Sequence, residues 1–214
     1  TAYEILTCDW SSDVCSSDLA WRAALAPYYK EYGIDADRIS AGSGRAPFST
    51  EAANVLEVFK PPVVSFHFGL PSTELLTRAK ALGAKIFCSA TTIEEARWLE
   101  AQGVDAIIAQ GLEAGGHRGI FLSEDLSTQF GTFALVPQIV REVKVPVIAA
   151  GGIADAKGVA AAMALGAAGV QVGTAYLLCP EATTSAIHRA ALKSKAAHHT
   201  RSEEHTSELQ SHVR

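Results

Sequence analysis

The stretch DAIIAQGLEAGGHRG, Asp105 to Gly119, passes from an apolar run into a glycine-rich loop that also carries Glu113, His117 and Arg118. Ala106–Ala109 has no polar residue and reads as a buried strand. Glycines let the backbone that follows turn sharply or approach another group closely. A buried strand that ends in glycines and titratable side chains points to the carboxyl edge of a parallel sheet, where α/β folds build their sites.

Outward from this stretch, short β-branched or apolar runs alternate with amphipathic segments from Pro61 onward, the pattern of βα units. The strands expected are Val63–Phe68, Ile86–Ala90, Ala106–Ala109, Val145–Ala149 and Val170–Val172. Each is apolar on both faces, which suits helices on one side and a packed barrel interior or a second helix layer on the other. Ser72–Leu82, Ile93–Gln102, Phe133–Val143 and Ala154–Leu165 have helical spacing between them; in the second, Ala96, Leu99 and Ala101 share a face, and Glu94, Arg97 and Glu100 face water. Thr92 is placed to cap that helix with Glu95 completing a capping box, and Gly83, Gly103 and Gly166 stand where left-handed C′ residues are needed. Ala20–Tyr32 and Thr50–Phe59 read as two further helices, joined by a surface loop at Ala41–Pro47. The fold class is α/β. Periodicity leaves an open doubly wound sheet and the latter part of an eight-stranded barrel both standing.

The 214 residues, 48% of them hydrophobic, are enough for a sizeable core. A formal charge of −5 without a basic block argues against nucleic acid or an anionic membrane surface as a partner. No apolar run is long enough to span a bilayer and no signal-peptide pattern opens the chain, so a cytoplasmic location is the default. Cys8, Cys15, Cys88 and Cys179 lack CxxC or metal-ligand spacing, so neither a disulfide framework nor a metal site is indicated. Cys88 and Cys179 read as small packing residues, and Trp21 and Trp98 as helix-face packing. Two segments break with the rest: SSDVCSSDL (Ser11–Leu19) and RSEEHTSELQSHVR (Arg201–Arg214). Both are Ser-rich and aperiodic, and back-translate into opposite strands of one sequencing adapter; ordinary disordered tails are the alternative. The domain organisation expected is a non-native leader over 1–19, an α/β domain over 20–200 and a tail over 201–214. Without Asp13, Asp18 and the tail's two arginines and three glutamates the net charge is −2, so acidity is no clue.

Three of the expected strands end in glycine-rich polar loops: AQGLEAGGHRG, AAGGI (Ala149–Ile153) and QVGT (Gln171–Thr174). In a parallel fold these loops converge. Gly151-Gly152 and Gly173-Thr174 follow consecutive strands and would turn backbone N–H groups toward a phosphate; plain turn glycines are the alternative. His117 lies in a loop too glycine-rich to bury it, with Glu113 and Arg118 near enough in sequence to tune its charge. It suits a base or an electrostatic partner for an anionic substrate, against the reading of a surface histidine. His67, in VVSFHFG, occupies the equivalent place after its own strand; a packed histidine with one satisfied nitrogen is the competing reading.

VVSFHFGLP, DAIIAQGLEAGGHRG, VPVIAAGGIAD and GVQVGTAYLLCPEA together resemble the nitronate monooxygenase (2-nitropropane dioxygenase) family of FMN-dependent TIM barrels, over roughly Trp21 to His199. The resemblance implies strands four to eight of a (β/α)8 barrel. It makes Gln110, Gly115, Gly116, Gly151, Gly152, Gln171, Val172, Gly173 and Thr174 FMN contacts, with Gly173 and Thr174 on the phosphate. His117 matches the family's catalytic, substrate-facing histidine, and His67 a second substrate-side histidine. The implied reaction oxidises alkyl nitronates such as propionate 3-nitronate with O2 to a carbonyl compound and nitrite, without a metal. The family's first three βα units have no counterpart here and the adapter-like leader stands in their place, so the chain is expected to be a truncated gene product. A related FMN-type enoyl-acyl-carrier-protein reductase and an inactive fragment are the alternatives.

Overall fold

The computed structural model describes residues 25–35, 47–123, 125–198 and 202–203. Cys8, Cys15, Trp21, the leader, most of the loop at 41–47 and nearly all of the tail lie outside the described residues. The chain divides into two compact units, Thr1–Pro47 and Phe48–Arg214. In the first, the described residues form helix α1 over 25–32, closed by Gly33 at φ +64°.

The second unit is a repeating βα array. Helix α2 (Thr50–Phe59) leads into β1 (Val63–Phe66), followed by α3 (Thr73–Ala81), β2 (Lys85–Ala90), α4 (Ile93–Ala101) and β3 (Ala106–Gln110). A short β4 (Gly116–His117) precedes α5 (Thr132–Glu142), β5 (Val147–Ala150), α6 (Ala156–Ala164), β6 (Gly169–Gln171) and α7 (Ala186–Leu192). β4 pairs with β7 (Ser202–Glu203) in a separate two-residue parallel ladder. The main sheet is wholly parallel in the order β1-β2-β3-β5-β6.

That order answers the question the periodicity left open. A doubly wound sheet reverses direction at a switch point and places helices on both faces. Here successive strands step one way across the sheet, as in a barrel wall with its helices outside.

Local chemistry accounts for the element ends. The side chains of Ser49, Ser72, Thr92, Asp155 and Ser185 cap α2, α3, α4, α6 and α7 through first-turn N–H groups. Gly83, Gly103 and Gly166 take φ values of +78°, +74° and +96° at the helix ends, as the sequence leads one to expect. β1 stops at Phe66 rather than Phe68, because Phe68 (φ +65°) and Gly69 (φ +84°) leave the strand region. β5 begins two residues after Val145, since Pro146 has no N–H for the ladder.

Register sorts the strand residues into two faces. Phe66, Cys88, Ile107 and Val147 lie in one row against the helices, all buried. Burial drives the Cys88 thiol up to about 12, so this cysteine is a packing residue, as expected. The opposite face is not apolar throughout. Val63 and Ser65 are exposed there, which departs from the expectation of strands apolar on both sides. Within α4, Ala96 and Leu99 are buried as expected, but Ala101 is exposed and Glu95 is buried completely. No helix among the described residues is long and apolar enough to cross a membrane.

The core contributions on α5 are separable. Leu135 is fully buried, whereas Phe133, two residues earlier, is 72% exposed. We expect Leu135→Ala to lower stability by about 2–5 kcal/mol and Phe133→Ala to stay within about 0.5 kcal/mol, read by urea denaturation.

Candidate active site

The inner face of the sheet changes character along the strands. Ser65, Phe87 and Ala106 share its lower row; Ser89, Ile108, Ile148 and Gly169 share the next; Gln110, Ala150 and Gln171 share the last. His67 stands one residue beyond the last paired position of β1, so it falls opposite Ser89. Its Nδ1 lies 3.0 Å from Ser89 Oγ. Its Nε2 lies 3.2 Å from the carbonyl oxygen of His117, and a carbonyl accepts, so Nε2 carries a hydrogen. Both ring nitrogens of His67 thus have partners, and the residue is exposed.

Gln110 closes the loop that follows its own strand. Nε2 donates to the His117 carbonyl at 2.9 Å, and Oε1 accepts from the Gly119 N–H at 2.7 Å. Arg118 turns inward instead of toward solvent and donates to the carbonyls of Gly111 and Leu112, at 3.1 Å each. Burial holds its guanidinium below the usual value, opposed by the nearby charge of Glu113. Glu113 accepts from the backbone N–H and hydroxyl of Thr132, at 2.7 and 2.9 Å. It therefore caps α5, whose own N-cap is Gly131 and has no side chain to offer. Sequence proximity suggested that these two charges tune His117; their bonds build the loop under it.

Gly111 packs against the start of α5, where a Cβ would fall 2.3 Å from the Thr132 backbone nitrogen. Only glycine fits. The loop after β5 takes φ +115° at Gly151 and +69° at Gly152, and a Cβ on Gly151 would meet Ala114 N at 2.9 Å. A Cβ on Gly115 would sit 3.3 Å from Thr174 Oγ1, which brings the loops after β3 and β6 side by side.

The result is a cavity of about 340 Å³ at the carboxyl ends of the strands, lined by His67, Ser89, Gln110, Gly115, His117 and Gln171 among others. Five of the residues singled out in the sequence thus meet in one place. Gly116, Gly151, Gly152, Val172, Gly173 and Thr174 lie in the surrounding loops and do not line it. Ser65, Phe66, Ser89 and Ile108 were not foreseen as lining residues; for Ser65, Ser89 and Ile108 the signal is the period of two that puts every second strand residue on the inner face, whereas Phe66 belongs to the helix-side row and follows no such pattern. A larger cavity of about 480 Å³ opens at the opposite end of the strands, between Lys85, Phe87, Asp105, Pro146, Ile148 and Val170. It contains none of the histidines or glycine loops, and a parallel α/β sheet places its chemistry at the other edge.

Fold and site together define a β/α-barrel-type protein whose candidate centre is a histidine loop at the carboxyl ends of its strands. The family model described as nitronate monooxygenase matches residues 17–209, and the chain belongs to that family. It is 45% identical over 183 residues to the nitronate monooxygenase of Paraburkholderia phytofirmans, covering 84% of this chain and 50% of that protein. It is 48% identical over 141 residues to that of Pseudomonas aeruginosa, covering 66% of this chain and 40% of the relative. Among solved structures, a nitroalkane oxidase from Streptomyces ansochromogenes superposes with a TM-score of 0.66 at 42% identity, over 70% of this chain and 44% of that one. FabK from Thermotoga maritima superposes at 0.59 with 37% identity, over 70% and 45%. The chain spans about half the length of the curated relatives it matches, or less.

Gly119 offers a selective probe. A Cβ there would lie 2.6 Å from His67 Cε1 and 3.1 Å from Gln110 Oε1, so the site and not the core must yield. Gly119→Ala is expected to shift the His67 ring resonances and those of the Gln110 carboxamide in NMR spectra. The unfolding free energy should fall by no more than about 1–2 kcal/mol.

Proposed function

We propose that the protein to which these βα units belong is an FMN-dependent nitronate monooxygenase, oxidising alkyl nitronates such as propionate 3-nitronate with O2 to a carbonyl compound and nitrite. The observation that carries this reading is the convergence of His117, His67, Gln110 and Gln171 on one cavity, in a chain of the nitronate monooxygenase family. The reading brings with it small-molecule partners only and a cytoplasmic location.

The loops fit a phosphate-bearing cofactor on their own geometry. No atom lies within 4 Å of where a Gly173 side chain would begin, and the turn that Gly173 opens has no side-chain cap on its N–H groups. We assign the phosphate to Gly151, Gly152, Gly173 and the hydroxyl of Thr174, and the surroundings of the ring to Gln110, Gly115, Gly116, Gln171 and Val172. When bound, FMN supplies the electron acceptor for the nitronate and the route of those electrons to O2.

The chain's own residues then have separable tasks. His117, as the neutral imidazole, takes the α-proton of a nitroalkane, and its ring positions the anion when substrate arrives as the nitronate. His67 holds the carbonyl of His117 through Nε2–H and borders the substrate space, with Ser89 fixing its other nitrogen. Gln110 holds the same carbonyl from below and keeps the loop closed. A cavity of about 340 Å³ lined mainly by polar side chains leaves room for a small anion and for O2 beside it.

His117→Asn is expected to retain cofactor while lowering turnover of neutral nitroalkane about 10²–10⁴-fold more than turnover of preformed nitronate, because only the neutral substrate needs proton abstraction. Equal losses, measured as O2 uptake on the two substrates, would make His117 a binding residue instead.

Cofactor released from the purified protein is expected to have the mass of FMN, since the loops offer one terminal phosphate cradle and the sequence no dinucleotide fingerprint. FAD would overturn the assignment. NADH is expected to leave the flavin oxidised; rapid bleaching would point to the enoyl-acyl-carrier-protein reductase reading.

A further inference from the structure

Among the described residues, Glu95 is the one acid with no exposed surface. The sequence places it in a capping box, and half of that motif forms: Thr92 Oγ1 accepts from the Glu95 N–H at 3.2 Å. The carboxylate does not return to Thr92. Oε2 accepts from the backbone N–H and hydroxyl of Thr91, at 2.7 and 2.8 Å. Oε1 reaches across to the loop after β3 and accepts from Phe121 N at 2.6 Å and Leu122 N at 3.2 Å. This is the loop that carries His117.

Two further contacts hold the same arm. Trp98, on the next turn of α4, stands edge-on to Phe121 with ring centroids 5.4 Å apart. Gly69 sits so close beneath that a Cβ would lie 3.1 Å from Phe121 Cδ2. The glycines at 115, 116 and 119 make the intervening backbone pliant, so its path depends on where its ends are held. Gln110 holds one side of the loop, and Glu95 the other.

We propose that Glu95 is a positioning residue for His117, fixing the return arm of the loop through the backbone N–H groups of Phe121 and Leu122 and thereby setting the orientation of the His117 ring at the cavity. The functional meaning of this role rests on the reading of His117 as the substrate-facing histidine. The site calls for a carboxylate, because four donors converge on two oxygens. A glutamine of the same shape offers one acceptor oxygen and turns an NH2 group toward the other pair of donors. Glu95→Gln therefore removes hydrogen bonds while keeping side-chain volume.

The test compares wild-type protein, Glu95→Gln and Thr91→Val by residue-resolved amide hydrogen exchange and by NMR signals of the His117 ring. In the wild type, the Phe121 and Leu122 amides should exchange at least about tenfold more slowly than that of Ser123, beyond the anchor. In Glu95→Gln, exchange across residues 116–122 should rise about ten- to hundredfold, the scale expected for losing hydrogen bonds to a charged group. The His117 ring signals should shift or broaden, with β3 and β5 amides unchanged. Thr91→Val, which removes a donor from the other oxygen and an acceptor from Gln129 Nε2 but leaves Oε1 untouched, should leave residues 116–122 as in the wild type. An unmoved loop or unmoved His117 ring in Glu95→Gln would overturn the proposal. So would equal loosening of loop and core, or equal loosening in both variants, since either means a general packing role. Should Glu95→Gln fail to fold, wild-type Phe121 and Leu122 amides exchanging as fast as Ser123 would overturn it unaided. None of these readouts uses turnover, so a protein that passes them yet leaves nitronates untouched would sink the functional reading and leave this one standing.

Discussion

The candidate site depends first on the carboxamide of Gln110, which bonds two neighbouring peptide groups of the loop that leaves its strand, accepting from the Gly119 N–H and donating to the His117 carbonyl. The arrangement works because Gln110 is the last residue of β3 and falls on the inner face, in one row with Ala150 and Gln171. Shifted by one position, the same side chain would point into the helix layer, where Ala109 is completely buried. The register of a buried strand thus sets the placement of a histidine seven residues later. His67 reaches the same carbonyl from β1, so two strands converge on one peptide group. The backbone under His117 is held by rigid elements, although the residue itself belongs to a loop.

Acids perform a second task here that is easily mistaken for chemistry. Glu113 sits in the glycine loop, four residues from a histidine, a spacing that invites a catalytic or charge-tuning role. Its carboxylate is taken up by the N–H and hydroxyl of Thr132 at the start of a helix that begins with glycine. Arg118 in turn covers the carbonyls of Gly111 and Leu112 from inside the loop. A loop with this much glycine loses much backbone freedom on ordering, and few of its own side chains can contribute to holding it. Charged side chains bonded to backbone groups supply what the glycines cannot, because hydrogen bonds to ionised groups are the stronger ones.

This division explains what the sequence makes legible and what it hides. Strands, helices, caps and left-handed glycines follow from short-range rules, and Thr92, Gly83, Gly103 and Gly166 behave as those rules say. The glycine loops mark the candidate edge, because glycine is needed wherever backbones meet, as at Gly111 against Thr132. Strand order is a long-range property; periodicity alone left two architectures standing, and the resemblance to a barrel family pointed to the one that the sheet order bears out. The destinations of Glu95 and Glu113 were equally hidden: both acids bond donors supplied by segments 19 or more residues away in the chain. The amphipathic pattern of α4 placed Ala101 inward, yet it is exposed, while Glu95 is buried because the loop after β3 brings two N–H groups to meet it.

The polarity of the inner face follows from the same register. Its lower two rows are polar toward β1, at Ser65 and Ser89, and apolar beyond, at Phe87, Ala106, Ile108 and Ile148, side chains suited to filling a barrel interior. Its upper edge carries Gln110 and Gln171, which line the smaller cavity together with Ser89 and the two histidines. The larger cavity opens over the apolar rows and the smaller one over the polar edge, so volume and chemistry point to opposite ends of the strands. At the carboxyl edge, side chains of Ser89, Gln110 and Gln171 from three strands border one cavity with the two histidines, whereas the charged pair at the other end, Lys85 and Asp105, is taken up by its own ion pair at 2.7 Å.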